Sequence, residues 1–68
     1  MTAVEQYPIA EETKAFLAKW GLKKKFVARM CGIPEGVFSK FINNKVALSS
    51  KQLERVTTYT SDYVRRNS

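Results

Sequence analysis

The sequence predicts an all-α protein, a compact bundle of four or five helices. Apolar residues recur three and four positions apart, as one face of a helix requires, and no segment alternates in the manner of a strand. Gly21 and Gly32 each follow such a segment, where glycine readily closes a helix. With 68 residues the chain forms one domain, spanning residues 1–68, with a thin core. The bulky core candidates are Phe16, Leu17, Trp20, Leu22, Phe26, Met30, Phe38, Phe41, Leu48 and Leu53.

The first predicted helix begins near Pro8, because the missing N–H of proline costs nothing in an opening turn. Glu11 and Glu12 follow, where the positive end of the helix dipole favours acidic residues. Gly21 ends this helix. Its inward face consists of Thr13, Phe16, Leu17 and Trp20.

Two shorter helices follow. The second is predicted from Lys23 to Cys31, ended by Gly32, with an inward face of Phe26, Val27, Met30 and Cys31. Pro34 opens the third, which runs to about Asn43.

The fourth helix begins after Ser49, which forms a capping box with Gln52 three residues later. Its apolar stripe is Leu53, Val56 and Tyr59, and it continues to Tyr63 unless the polar residues in between interrupt it. One long helix and a separate fifth helix capped by Ser61 or Asp62 are both compatible with this pattern.

Charge is distributed unevenly. Residues 1–18 hold three glutamates and one lysine, a net charge of −2, whereas the rest of the chain holds eleven basic and three acidic residues, a net of +8. This asymmetry favours a polyanionic partner for the later part of the domain.

Several classes of function are excluded or disfavoured. With no histidine and one cysteine, Cys31, the chain forms no internal disulfide and no four-ligand zinc site. The six carboxylates show no inward pair, so we expect neither an enzyme nor a cofactor. No apolar run reaches the length of a membrane span and no signal peptide is visible, so we expect a soluble, cytoplasmic protein with no membrane partner.

The most informative stretch is 23–43, which predicts a helix-turn-helix. Two helices that cross steeply over a short turn need a small residue at the crossing and a permissive residue in the turn. Ala28 and Gly32 meet these needs. The apolar contacts that hold the third helix are then Ile33, Val37, Phe38 and Phe41.

From about Phe16 to Tyr59 the sequence resembles the lambda-repressor-like and Cro family of helix-turn-helix proteins. The matching residues are Gly21-Leu22, Val27-Ala28, Gly32-Ile33, Phe38-Ser39, Phe41, Asn44-Lys45, Leu48, Ser49 and Leu53. The resemblance implies sequence-specific binding of double-stranded DNA, usually as a symmetric homodimer, by a transcription regulator such as a small phage or mobile-element repressor. In that family the third helix meets base edges, and the start of the second helix and the loop after the third grip phosphates.

The chain departs from the family at the start of the second helix, where lysines replace the usual Thr or Ser cap and Gln. Positive charge there opposes the helix dipole, and a docked phosphate would satisfy both the lysines and the free N–H groups. Pro34 and Gly36 also depart from the usual start of the third helix. The predicted phosphate contacts are Lys23, Lys24, Lys25, Asn44 and Lys45.

The polar side of the third helix supplies the predicted base contacts: Glu35, Gly36, Ser39, Lys40 and Asn43. Lys40 suits guanine acceptors and Asn43 suits adenine. Glu35 either accepts from a cytosine amino group or only complements the helix dipole.

The competing interpretation is a protein-binding module, such as an antirepressor that binds another regulator, because the fold alone does not fix the ligand. On that interpretation the polar side of the third helix is merely solvated. Tyr59, Tyr63 and Val64 either complete the core or form a homodimer contact, and under the protein-binding alternative they matter more than Lys40.

Overall fold

A computed structural model describes residues 4–68. They form four α-helices and no strand: α1 (Tyr7–Trp20), α2 (Lys24–Cys31), α3 (Glu35–Ile42) and α4 (Ser50–Asn67). The all-α prediction is confirmed. The alternative of a fifth helix is wrong for these residues, because α4 runs without a break through Ser61 and Asp62.

The first three helices end in the same way, with one left-handed residue that lets the chain turn back. These residues are Gly21 (φ 65°), Gly32 (φ 69°) and Asn44 (φ 62°). After each, the next backbone N–H donates to a carbonyl five residues earlier, which satisfies a carbonyl left free at the helix end. These bonds join Leu22 N to Leu17 O (2.9 Å), Ile33 N to Ala28 O (2.9 Å) and Lys45 N to Lys40 O (2.8 Å).

The fourth helix begins with the predicted capping box. The backbone N–H of Gln52 donates to Ser49 Oγ at 3.2 Å, and the Ser49 N–H donates to Gln52 Oε1 at 3.1 Å. Two backbone donors that the helix leaves free are thereby satisfied.

The core lies where all four helices meet. Its largest fully buried apolar side chains are Phe38, Phe41, Val27 and Val56. Around them pack Ala10, Phe16, Leu17, Ala28, Cys31, Ile33, Ile42, Leu48 and Leu53.

The predicted inward face of α2 is wrong in half of its residues. Val27 and Cys31 are buried, but Phe26 is 49% exposed and Met30 57% exposed. Both pairs are spaced four residues apart, so the pattern contains two adjacent apolar stripes. Because α2 has only eight residues and Ala28 also lies in the core, the helix buries only the side that carries Val27.

A buried glutamine fastens the start of α1 to the segment between α3 and α4. Gln6 is 1% exposed. Its Nε2 donates to the Leu48 carbonyl oxygen at 2.9 Å, and the Leu48 N–H donates to its Oε1 at 2.8 Å.

Helix α1 begins at Tyr7, next to Pro8 as predicted. Glu11 and Glu12 therefore lie beyond the first turn, contrary to prediction.

Aromatic rings join α1 to α4. The rings of Phe16 and Tyr63 meet edge to face with centroids 5.4 Å apart, and those of Trp20 and Tyr63 do the same at 5.4 Å. Tyr59 reaches Phe16 from the preceding turn of α4. This cluster fixes the long last helix along the first one.

Candidate nucleic-acid interface

Helices α2 and α3 are eight residues each and are joined by Gly32, Ile33 and Pro34. Buried apolar residues hold the two helices together. Ala28 is 1% exposed and Ile33 is 4% exposed. Helix α3 adds Phe38, Phe41 and Ile42 to the core, so its opposite side faces outward.

The outward side of α3 carries the residues predicted to contact bases. Glu35, Gly36, Lys40 and Asn43 are exposed, and Ser39 is partly buried. At 1.5 Å per residue they span about 12 Å of helix. The exposed large apolar residues of the described chain all lie outside α3.

Asn43 is held by its own helix. Its Nδ2 donates to the Ser39 carbonyl oxygen at 2.9 Å. This bond uses one of the two amide N–H groups. The second N–H and the amide oxygen keep the donor and acceptor pair needed to bind an adenine edge.

The N-terminus of α2 is cationic and has no side-chain cap. Lys23 occupies the cap position, its side chain makes no capping bond, and the first turn holds no acidic residue. Lys23, Lys24 and Lys25 are all exposed. The free N–H groups and three ammonium groups form a surface suited to an anion such as phosphate.

The loop after α3 places its two predicted phosphate contacts differently. Lys45 is exposed. Asn44 instead turns toward α1, with Nδ2 3.5 Å from Glu11 Oε2, and its Oδ1 is buried without a hydrogen-bond partner among the described residues. Its left-handed backbone, which asparagine tolerates better than most residues, positions Lys45.

The candidate dimer residues do not share one environment. Tyr59 and Tyr63 are half-buried against α1. Burial raises the pKa of Tyr59, and the negative charge that Cys31 carries as a thiolate raises it further. Val64 is 41% exposed. The two tyrosines therefore take part in the packing of the chain itself.

The single thiol is buried between α2 and α4. Cys31 Sγ lies 3.9 Å from the Arg55 carbonyl oxygen. Burial raises the pKa of Cys31, and the Arg55 charge opposes this only in part. Residues 4–68 contain no group of three potential metal-ligating His, Cys, Asp or Glu side chains, and none of their helices is long and apolar enough to span a bilayer.

Sequence reasoning missed the outer side of α2. Lys23, Lys25, Phe26 and Arg29 line a shallow depression there. One signal was present in the sequence, because Arg29 lies three positions after Phe26. An apolar residue with a cation at this spacing is as compatible with an outward face as with an inward one.

Comparison with known proteins finds no matching family, no matching curated protein and no matching solved structure. The function is therefore inferred from the residues of this chain.

Proposed function

We propose that this protein is a sequence-specific transcription regulator that binds double-stranded DNA. Helices α2 and α3 serve as a helix-turn-helix, and α3 lies in the major groove. The proposed biological role is that of a small Cro-like repressor of phage or mobile-element origin, acting in the cytoplasm by occupying an operator.

The outward side of α3 is the observation that carries this proposal. It is polar and, apart from the partly buried Ser39, exposed. Its side chains are short apart from Glu35 and Lys40. A helix with its side chains is about 10–12 Å across, and the major groove is about 12 Å wide. Short side chains let the helix approach the bases closely.

Each outward residue has a role in this arrangement. Lys40 donates to the O6 and N7 acceptors of guanine, and Asn43 pairs with adenine. Glu35 accepts from a cytosine amino group. Gly36 and Ser39 are small residues, so the centre of this helix surface can approach the bases closely.

Phosphate binding falls to the cations at the two ends of the helix pair. Lys23, Lys24 and Lys25 surround the free N–H groups of α2, and Lys45 follows α3. Within residues 4–68 no ion pair ties these lysines to a carboxylate, so they are available to a polyanion. Asn44 contributes by shaping the loop.

The test is a selection of bound duplexes from a random pool, followed by salt titrations on the enriched site and on a random duplex. We expect Lys24→Ala to weaken both duplexes alike and to reduce the salt slope by about 0.9, the share of one phosphate contact. Lys40→Ala and Asn43→Ala should each cost about 1–3 kcal/mol on the enriched site and relax one base position.

Lys14→Ala is the matched control, because it removes one exposed charge from α1, outside both sets of contacts. It should change neither measurement. Equal losses on enriched and random DNA for Lys40→Ala, or a pool with no enriched site, would overturn the assignment of α3.

The second candidate is a protein-binding module such as an antirepressor. The exposure of Phe26 and Met30 favours it, because these apolar side chains lie outside the core and outside α3. A homodimer through Tyr59, Tyr63 and Val64 is compatible with either function. If DNA binding failed while Phe26→Ser abolished capture of a defined protein regulator, this candidate would replace the first.

A further inference from the structure

The outer side of α2 carries a patch that combines apolar and cationic side chains. We call it the α2 patch; it consists of Lys23, Lys25, Phe26, Arg29 and Met30. Phe26 is 49% exposed and Met30 is 57% exposed. They lie four residues apart and are therefore neighbours on the helix surface.

Elsewhere in residues 4–68 the exposed large apolar residues are Val4 and Tyr7, three positions apart around the start of α1, and Val64 on α4. Cations border Phe26, whereas Val4 and Tyr7 flank Glu5, so the combination of an apolar pair with cations distinguishes α2. Single exposed apolar residues are ordinary on a protein surface, whereas adjacent ones rimmed by polar groups mark interaction sites. A binding role for the patch therefore explains the exposure of Phe26 and Met30, which packing in the core does not explain.

Around Phe26 the patch has a single sign of charge, whereas Met30 also borders a depression that Glu54 and Asp62 line together with Lys51 and Arg55. Lys23, Lys25 and Arg29 surround Phe26. No carboxylate in residues 4–68 forms an ion pair with any of them. A complementary ligand presents apolar side chains to Phe26 and Met30 and negative charge to the cations around Phe26.

We propose that the α2 patch binds an acidic amphipathic helix of another protein. Two apolar side chains of that helix, one turn apart, contact Phe26 and Met30. Its carboxylates flank the contact and pair with Lys23, Lys25 and Arg29. An amphipathic helix that docks on an apolar surface contacts it through residues three and four positions apart.

Other occupants fit less well. The sugar-phosphate backbone of DNA offers little apolar surface to a benzene ring and a thioether side by side, and Arg29 lies a full turn beyond the N-terminus of α2. A second copy docked patch to patch would bring two sets of three cations together, which like-charge repulsion opposes.

A regulatory consequence rests on the proposed DNA-binding function. Lys23 and Lys25 belong both to the α2 patch and to the proposed phosphate contacts. A bound acidic helix would therefore compete with DNA for these lysines and release the protein from its operator. The binding itself requires no DNA.

The probe is a synthetic amphipathic peptide of about four helical turns, with leucines three and four residues apart and glutamates elsewhere. Binding to the full chain is measured by titration calorimetry without DNA. A scrambled peptide of the same composition and a version with lysines in place of glutamates are the ligand controls. We expect binding of the first peptide only.

Protein variants locate the binding. Phe26→Ser, Met30→Ser and Arg29→Glu should each weaken it about tenfold, the effect of losing one well-packed contact. Tyr7→Ser and Lys14→Glu are matched in chemistry and exposure on α1 and should change it less than twofold. Circular dichroism confirms that each variant is folded, as expected for exposed positions.

Each of the following results would overturn the proposal: no binding of the acidic peptide, equal binding of the scrambled one, unchanged binding by Phe26→Ser, or self-association that Phe26→Ser abolishes. A loss of duplex affinity in Phe26→Ser as large as that in Lys24→Ala would assign the patch to nucleic acid instead. Since peptide binding is measured without DNA, failure of the DNA proposal leaves this result readable.

Discussion

Helices α2 and α3 have equal lengths and each buries three residues, yet they treat their large apolar side chains in opposite ways. Helix α3 buries Phe38, Phe41 and Ile42 and leaves a small, polar outer side. Helix α2 buries Val27, Ala28 and Cys31 and leaves Phe26 and Met30 outside. The outer side of α3 therefore suits a polar ligand approached closely, and that of α2 suits a ligand with apolar groups.

Phenylalanine-to-alanine substitutions in the two helices test this comparison most directly. Phe38→Ala should lower the free energy of unfolding by about 3–5 kcal/mol, because it empties a fully buried site in the core. Phe26→Ala should lower it by less than about 1 kcal/mol, since half of the ring is already in water. Urea unfolding measures both, with Phe38→Leu as a milder variant if Phe38→Ala does not fold. Equal losses would contradict the different placement of the two rings.

The buried glutamine gives the next largest effect. Gln6→Ala removes both partners of the Leu48 backbone and leaves an N–H and a carbonyl unsatisfied in the core. We expect a loss of about 2–4 kcal/mol in the free energy of unfolding. Gln52→Ala, which removes one half-exposed bond of the capping box, is the control and should cost about 1 kcal/mol or less. A Gln6 effect no larger than the control would show that water replaces both bonds.

The two glycines of the helix pair should respond in opposite directions. Gly36 is helical with open space where a Cβ would stand, so Gly36→Ala should stabilise the protein by about 0.5–1 kcal/mol. Gly32 has φ 69°, and a Cβ there would lie 3.3 Å from the end of the Arg55 side chain. Gly32→Ala should destabilise by about 1 kcal/mol, mainly through the left-handed backbone. Thermal unfolding measures both, and a shared sign would contradict this account.

Alkaline pH gives the smallest expected effect and concerns the contact between α2 and α4. Burial raises the pKa of Cys31 above its ordinary value of 9.0, so the folded state keeps the thiol proton where the unfolded chain has lost it. The stabilisation is full below pH 9.0 and falls as the pH rises through the folded pKa. Cys31→Ala should flatten the decline without removing it, because the pKa of Tyr59 is raised too. Urea midpoints across this range test the slope, and an identical slope in Cys31→Ala would exclude the thiol as its cause.

The fold was largely predictable because its helix ends are encoded locally. Gly21, Gly32 and the Ser49–Gln52 box are short-range signals, and each ends or begins a helix where predicted. The length of α4 was not predictable, because the polar residues near Ser61 are compatible with both a helix end and a helix interior. In the structure Tyr59 and Tyr63 pack against α1 on either side of Ser61, and the helix continues through it.

Other features depend on contacts far apart in the chain. Gln6 meets Leu48 across 42 positions, and a polar residue carries no mark of such a partner. The choice between the Phe26 and Val27 stripes depends on which side of α2 meets α4, which periodicity does not encode. The exposure of the α3 residues was predictable, because the apolar side of that helix is continuous; their role in binding DNA stays a prediction.

The most direct test of the central claim is a map of backbone amide chemical shifts during titration with the selected duplex. We predict the largest changes at Glu35, Gly36, Ser39, Lys40 and Asn43, with a second set at 23–25 and 44–45. Changes confined to Phe26, Arg29 and Met30, or to Tyr59, Tyr63 and Val64, would contradict the assignment of α3 as the DNA-reading helix.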